Sequence, residues 1–350
     1  MKTFRRGLLP ILSGALVATA ALAVSGCSAI GGGSAAGAGD ESVSLSGATS
    51  NSTAQVSGAQ AGSYQVLTLN DRRDLTFNQL LGINNEGEIA GYFGSGAQGH
   101  PNKGYELRPP FAQGSFGSEN FPRSVQTQVT GLDDRGITVG FFSTQNTTSQ
   151  SNDNFGFYDW EGRFRVVDFP TGDNSKPPVD QLLGVNNSGI AVGFYTNGAG
   201  SARGYEYNIF RRRFSRVVVP GAPTGTAGPS LTAAGINNRG DVTGFYNKTS
   251  STVDAFLKLR SGKFVTIAYP GAASTQAFGV NDSDEVVGTY TTGSGNSAVT
   301  HGFTWENGKF VTVNGPRASS TTINGVNDEG DIVGFYTAAS GNTDGFVGLP

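Results

Sequence analysis

Cysteine is nearly absent from this chain of 350 residues: there is one. No intrachain disulfide can form and no cysteine-based zinc site can be built. Histidine is almost as scarce, with two in all, His100 and His301. A Ser-His-Asp triad would have to recruit one of them, and no Gly-x-Ser-x-Gly elbow follows a strand and opens a helix. Charged residues make up 15% of the chain and the formal net charge is −3. There is no basic block to suggest nucleic acid and no acidic run to suggest a charged tail. Apolar residues stand at 37%, below the usual share. Glycine, by contrast, is abundant at 53 residues. That balance favours short strands and tight turns over long helices. The glycines sit in strand contexts rather than at helix starts, so phosphate loops are not indicated. "GSGAQG", Gly94–Gly99, reads as a flexible loop.

What is present is one phrase written six times. "GINNEGEIAGYF" begins at Gly82, "GLDDRGITVGFF" at Gly131 and "GVNNSGIAVGFY" at Gly184. "GINNRGDVTGFY" begins at Gly235, "GVNDSDEVVGTY" at Gly279 and "GVNDEGDIVGFY" at Gly325. The intervals are 49, 53, 51, 44 and 46 residues, a period that marks propeller blades when the content is strand-like. A second phrase follows each copy: glycine or alanine plus an aromatic, as in "GYEL" at Gly104 or "GFTW" at Gly302. After a short turn comes an alternating run such as "KFVTIAYP", which reads as a half-exposed strand.

Each unit is therefore expected to hold four strands, a to d. Strand a ends at the Asn/Asp pair, which with the following glycine suits a tight hairpin. Strand b is apolar on both faces, as expected where a sheet is covered on both sides. Its glycine, the third of the phrase, is expected to admit a neighbouring blade or an aromatic ring. The long "RPPFAQGSFGSEN" stretch of the first unit is read as a loop between strands c and d. The fold class expected is all-β: a six-bladed β-propeller of four-stranded blades. The chain finishes with strands a, b and c of a sixth unit. Tyr64–Leu69 reads as a lone strand d, so pairing of 64–69 with 345–349 is expected to close the ring.

The N-terminal part has a different character. Met1–Arg6 is basic and an apolar run extends to Val24. Val24-Ser25-Gly26-Cys27 resembles a bacterial lipobox, which would place a lipid on Cys27 after signal cleavage. The expected organisation is a signal peptide over 1–26, a lipidated Cys27 and Gly/Ser/Ala-rich tether over 27–62, and the propeller over 63–350. The tether would reach ~30 Å as a flexible coil. Ser28 in place of Asp points to the outer membrane in a Gram-negative host, with the disc facing the periplasm or the exterior.

From about Tyr64 to Pro350 the repeats resemble the HAF family of bacterial extracellular repeats, named for a His-Ala-Phe phrase. The nearest match is His301-Gly302-Phe303, followed by Trp305, an Asn-Gly turn and "GVNDEGDIVG". The other copies replace that histidine by Lys103, Phe155, Arg203, Asp254 and Asp344. The resemblance implies an exported repeat protein and carries over no catalytic residue.

Candidate ligand-binding residues follow from the expected blade order. Gln79, Gln128, Gln181, Thr232, Gln276 and Thr322 stand three residues before each first glycine, on the strand nearest the axis. They would ring one mouth of the channel, either holding a ligand or bracing adjacent blades. Lys103, Arg203, Asp254, His301 and Asp344 would lie in the loops of the same mouth, along with Arg72, Arg73, Asp173, Lys176 and Asp180. Calcium is weighed at "NDEGD", Asn327–Asp331, but Ala338 stands where an EF-type loop needs its bidentate glutamate, and a hairpin turn explains the stretch. No metal and no cofactor is expected. Two functional classes remain: a non-catalytic, monomeric envelope lipoprotein binding protein or glycan, with membrane attachment at Cys27 and no nucleic acid; or a glycan hydrolase or lyase using carboxylates such as Asp173, Asp180 and Asp254.

Overall fold

The computed structural model describes residues 60–61, 64–97, 99–145, 153–170, 178–220 and 229–350. Cys27 with its lipobox, the signal segment and most of the expected tether lie outside these residues, as do Asp173 and Lys176. Among the described residues the chain is all-β. Helix is limited to two short 3-10 turns, Gln113–Ser115 and Gly295–Ser297.

Two strands precede the repeats, β1 (Gln60–Ala61) and β2 (Tyr64–Thr68). Unit one holds β3 (Asn78–Ile83), β4 (Ile89–Phe93), β5 (Lys103–Leu107) and β6 (Phe116–Ser118). Unit two holds β7 (Gln126–Leu132), β8 (Ile137–Ser143), β9 (Phe155–Trp160) and β10 (Arg165–Val167). Unit three holds β11 (Asp180–Val185), β12 (Ile190–Thr196), β13 (Ala202–Asn208) and β14 (Arg213–Arg216). Unit four holds β15 (Leu231–Ile236), β16 (Val242–Asn247), β17 (Val253–Lys258) and β18 (Phe264–Ile267). Unit five holds β19 (Ser274–Val280), β20 (Val286–Thr292), β21 (Val299–Glu306) and β22 (Lys309–Val313). Unit six holds β23 (Ser320–Val326), β24 (Ile332–Thr337) and β25 (Thr343–Leu349).

Within each of the first five units the four strands form an antiparallel meander in chain order. A single parallel pair, Val253 with Ser274, joins the sheets of units four and five. In the sixth sheet β2 supplies the strand after β25, with Leu67 opposite Val347 and Val66 opposite Gly348. β1, within the stretch expected as tether, adds a short outer rung to β2. One expectation is corrected: β6 lies inside the stretch read as a loop in unit one. The sequence Phe116-Gly117-Ser118 is too short and too polar to show alternation.

Strand b is the centre of each sheet, and its burial explains its composition. Every residue of β8 is buried, because a neighbouring sheet covers each face. The aromatic of the second phrase is fully buried in all six copies: Tyr105, Phe157, Tyr205, Phe256, Phe303 and Phe346. Each such ring contributes about 2–3 kcal/mol by leaving water. The glycine before it faces the next unit. A Cβ at Gly302 would press on Ile323 at 2.8 Å, and one at Gly104 on Val129 at 2.7 Å.

Strand a carries a β-bulge at the same place in every unit, for example between Leu80 and Gly82 or between Ala277 and Gly279. The extra residues are Leu81, Thr130, Leu183, Ala234, Phe278 and Asn324, and these six line one small cavity. A bulge re-aims a side chain, and here it sends one from each unit to a common centre.

One half of the expectation for the third glycine holds: at Gly91, Gly140, Gly244 and Gly334 a Cβ would stand 2.9–3.0 Å from the rings of Tyr105, Phe157, Phe256 and Phe346; the other half does not. The third glycine of the phrase does not face a neighbouring sheet. A Cβ at Gly288 would fall inside the carbonyl oxygen of Gln276 on its own strand a, and at Gly244 it would also meet the Phe256 ring at 3.0 Å. Contact between units falls to the first glycine. A Cβ at Gly82 would meet the Gly131 Cα at 2.9 Å, and the series continues through Gly184, Gly235, Gly279 and Gly325 back to Gly82.

Gly288→Ala is expected to lower stability by about 3 kcal/mol or more, since backbone rather than a flexible side chain blocks the methyl. Gly114→Ala, where nothing lies within 4 Å of the added carbon, should stay within about 0.5 kcal/mol of the parent. Urea unfolding of the two variants measures the difference.

Candidate functional site

The Asn/Asp turns gather around one end of the axis. Inside its own turn, the first residue of the pair closes an Asx turn. Asn281 Oδ1 accepts the backbone N–H of Ser283 and of Glu285, both at 3.0 Å. Its amide then reaches the next unit, donating to the Asn327 carbonyl at 3.0 Å. The same step links Asn186 to Asn237, Asn237 to Asn281, Asn327 to Asn84 and Asn84 to Asp133. Asp133 has no amide to donate. There Thr130 Oγ1 instead donates to the Leu182 carbonyl at 2.8 Å.

The second residue of the pair accepts from the unit before it. Asn85 N–H donates to Asp134 Oδ1, Asp134 N–H to Asn187 Oδ1 and Asn187 N–H to Asn238 Oδ1. Asn238 N–H donates to Asp282 Oδ1, Asp282 N–H to Asp328 Oδ1 and Asp328 N–H to Asn85 Oδ1. All six bonds are 2.7–3.0 Å long. The circuit passes through every unit and returns to its start. Its inner wall encloses a cavity of about 60 Å3, room for a pair of waters. Among the described residues no group of three or more acidic, histidine or cysteine side chains is placed to hold a metal ion.

The loop end of the axis carries the expected glutamine and threonine row. Gln128 Nε2 donates to Asn102 Oδ1 of the preceding unit at 3.0 Å, and Gln181 Nε2 meets Asn154 Oδ1 at 3.4 Å. Gln79 Oε1 accepts from Tyr92 in its own sheet at 2.8 Å. Gln276 and Thr322 are half-buried. Gln128 Oε1, Gln181 Oε1 and Thr232 Oγ1 come from consecutive units, lie buried and have no hydrogen-bond partner among the described residues.

The strand-c candidates do not converge on this row. They stand at the start of the third strand, about 10 Å from the first at the usual strand spacing. Their side chains turn to nearby loops. Lys103 Nζ donates to the Val125 carbonyl at 3.0 Å and Arg203 to the Pro229 carbonyl at 3.0 Å. Asp254 pairs with Lys248 at 2.9 Å, Asp344 accepts from Asn70 at 2.8 Å, and His301 packs on Tyr290 beside Asn314. Arg73 pairs with Asp71, and the Arg72 backbone N–H donates to Gln113.

Asp180 serves as a brace. Tyr205 donates its hydroxyl to Oδ1 and the Phe169 N–H donates to Oδ2 at 2.8 Å. Burial raises its pKa to about 7. Glu119 is also pushed to about 7, first by burial and then by the charges of Asp159 and Glu106. The corresponding place between units three and four holds a Lys258–Glu206 pair at 3.1 Å. Between units one and two Asp159 stands where the lysine would be.

No family model matches the sequence, and no curated protein matches it. Among solved structures, the chain is similar to an ulvan lyase of polysaccharide lyase family PL25, at 14% identity over 76% of this chain and 77% of that one, TM-score 0.42. It is similar to a mutant of AofleA from Arthrobotrys oligospora, at 10% identity over 83% and 88%, TM-score 0.48. It is also similar to the β-propeller domain of the Trilobed protease from Pyrococcus furiosus, at 10% identity over 77% and 95%, TM-score 0.44.

Two outcomes are expected. Asn237→Ala removes both the turn closure and the amide to Asn281, leaving buried backbone groups unpaired, and should cost about 2–3 kcal/mol. Asn238→Ala frees one half-buried N–H and should cost about 1 kcal/mol; chemical denaturation ranks the pair. The second outcome concerns pH. The folded pKa of Glu119 lies above its ordinary 4.5, so the native state holds the proton more tightly than the unfolded chain. Its contribution to stability is full below pH 4.5 and is lost as pH rises to about 7. Glu119→Gln keeps the acceptor for Thr138 Oγ1. It should match the parent melting temperature at pH 4.5 and exceed it at about pH 8.

Proposed function

We propose that the six units are the blades of a β-propeller closed by the β2–β25 pairing. The disc is a non-catalytic module that binds or scaffolds protein or glycan, held on the bacterial cell envelope by a lipid on Cys27. The observation that carries the binding reading is the run of Gln128, Gln181 and Thr232. Three polar oxygens from adjacent units lack a donor among the described residues, and buried acceptors are otherwise paired with protein or ordered water; we read them as the polar floor of a site for a sugar hydroxyl or a backbone N–H. The hydrogen-bond circuit at the opposite end supports a rigid frame for that row. The resemblance to HAF repeats and the lipobox support the envelope location.

The enzyme reading has less to stand on. Both oxygens of Asp180 are engaged in the frame, and Asp254 is paired with Lys248. Most glycoside hydrolases need two carboxyl groups facing one bond, and these two are held elsewhere.

The chain carrying Cys27→Ser, screened on a glycan array with hydrolase and lyase assays alongside, should bind without turnover. Joint Gln128→Ala, Gln181→Ala and Thr232→Ala substitution should abolish binding with the fold retained; product formation would favour the enzyme. Labelled palmitate should enter the parent chain and not Cys27→Ser. Deletion of 64–69 should lower the melting temperature of the whole domain in one transition, and an unchanged value would remove closure.

A further inference from the structure

The turn end of the molecule carries a second feature that the axial row does not use. Among the described residues, Trp160 and Phe210 are the exposed aromatic side chains, at 42% and 48% accessible. They come from different units. Trp160 ends β9 in unit two, and Phe210 lies in the turn between β13 and β14 in unit three. The rings meet edge to face, 5.6 Å between centroids at 74°.

The pair is held in place. Phe210 lies over Gly189, where a Cβ would enter the ring. The Arg135 guanidinium sits over the ring, 5.3 Å from its centroid, itself tied to Asp133 at 3.3 Å. Arg211, Arg212 and Arg213 follow Phe210 directly, and all three are exposed. Arg213 opens β14. Their guanidinium groups have no ion pair and no hydrogen bond among the described residues. From Phe210 to Arg216 there are four arginines and no acid, in a chain whose net charge is −3.

We propose that Trp160, Phe210 and Arg211–Arg213 form a binding platform for an anionic polysaccharide, one carrying uronate carboxylates or sulfate esters. The aromatic faces suit the C–H face of a pyranose ring, as amphipathic rings do at binding surfaces. The free guanidinium forks suit carboxylate or sulfate, which they bind through paired N–H donors. A polymer fits better than a small anion because the rings and the arginines are spread across two units. Nucleic acid and anionic lipid are less well matched. The basic strip is confined to one turn, and the apolar part is two rings with no aliphatic wedge beside them. The platform lies at the opposite end of the sheets from Gln128, Gln181 and Thr232, so the inference does not rest on the axial reading.

The test is affinity electrophoresis of the full chain in detergent, through gels containing polygalacturonate, dextran sulfate or neutral dextran, at low and high salt. The expected result is retardation by the two acidic polymers, weakened by salt, with none by dextran. Trp160→Ala and the Arg211→Ser/Arg212→Ser/Arg213→Ser variant should each bind about tenfold more weakly or worse, with unchanged melting temperature because these side chains are exposed. The Gln128→Ala/Gln181→Ala/Thr232→Ala variant should bind the acidic polymers as the parent does. Absence of retardation by either acidic polymer overturns the proposal. So does retention of full binding by both platform variants, or loss of it in the axial variant alone. Equal or tighter binding to duplex DNA or to phosphatidylglycerol vesicles would overturn the assignment to glycan.

Discussion

The N–H of the second turn residue is the group on which this architecture depends. It sits at the inner end of a sheet, where strand a has no further strand to pair with and where buried backbone groups must still be satisfied. The turns are only partly covered, and Asp328 is exposed, while behind them the first glycines bring neighbouring units nearly backbone to backbone. The donor is met by a side-chain oxygen from the next unit, and that unit's own N–H is met in turn by the one after. One hydrogen bond of this kind is worth about 1 kcal/mol. Six in a loop do more than add, since no unit can shift without opening two of them.

This explains why the phrase tolerates Asn or Asp at its second polar position and nothing else. Both offer an oxygen at the right reach. The first position is stricter in principle, because only Asn supplies an oxygen for its own turn and an N–H for the neighbour. Asp133 is the exception, and unit two makes a different link to unit three, from Thr130 Oγ1 to the Leu182 carbonyl. Unit five varies another part of the phrase: Asp284 takes the positive φ that glycine holds in the other turns. The carboxylates of this protein belong largely to such framing. Asp133, Asp180 and Asp241 each accept backbone N–H bonds, which leaves them little freedom for chemistry.

Much of the fold was legible because its causes are local. Alternation marked the outer strands, apolar content on both faces marked strand b, and Asn-x-Gly marked the hairpins. The bulge was not read, although a signal existed. Leu80-Leu81, Leu182-Leu183 and Ala277-Phe278 put two apolar residues in succession where strict alternation forbids it. Thr130 and Asn324 hide the same step behind a polar side chain. Strand β6 escaped because Phe116-Gly117-Ser118 carries no pattern. The candidate site was legible only in part. The glutamine and threonine row opens strand a as the repeat spacing has it, but the strand-c residues turn to nearby loops, which spacing alone does not reveal. The Asn/Asp circuit hides behind the hairpin, which accounts for the first residue and the glycine but not for an acceptor at the second position six times over. Trp160 and Phe210 stand at different offsets in their units, so aligning the repeats hides them.

The junction of β2 with β25 has a consequence for how the chain is made. Leu67 is made well before its partner Val347, with five complete units between them. At ordinary translation speeds the wait is roughly 15–60 s. Throughout it β2 is a short apolar strand with an open edge, and the first five sheets can form beside it while the sixth cannot. Delivery of β25 to β2, more than any step within the first five sheets, is the event that lets the sixth sheet form.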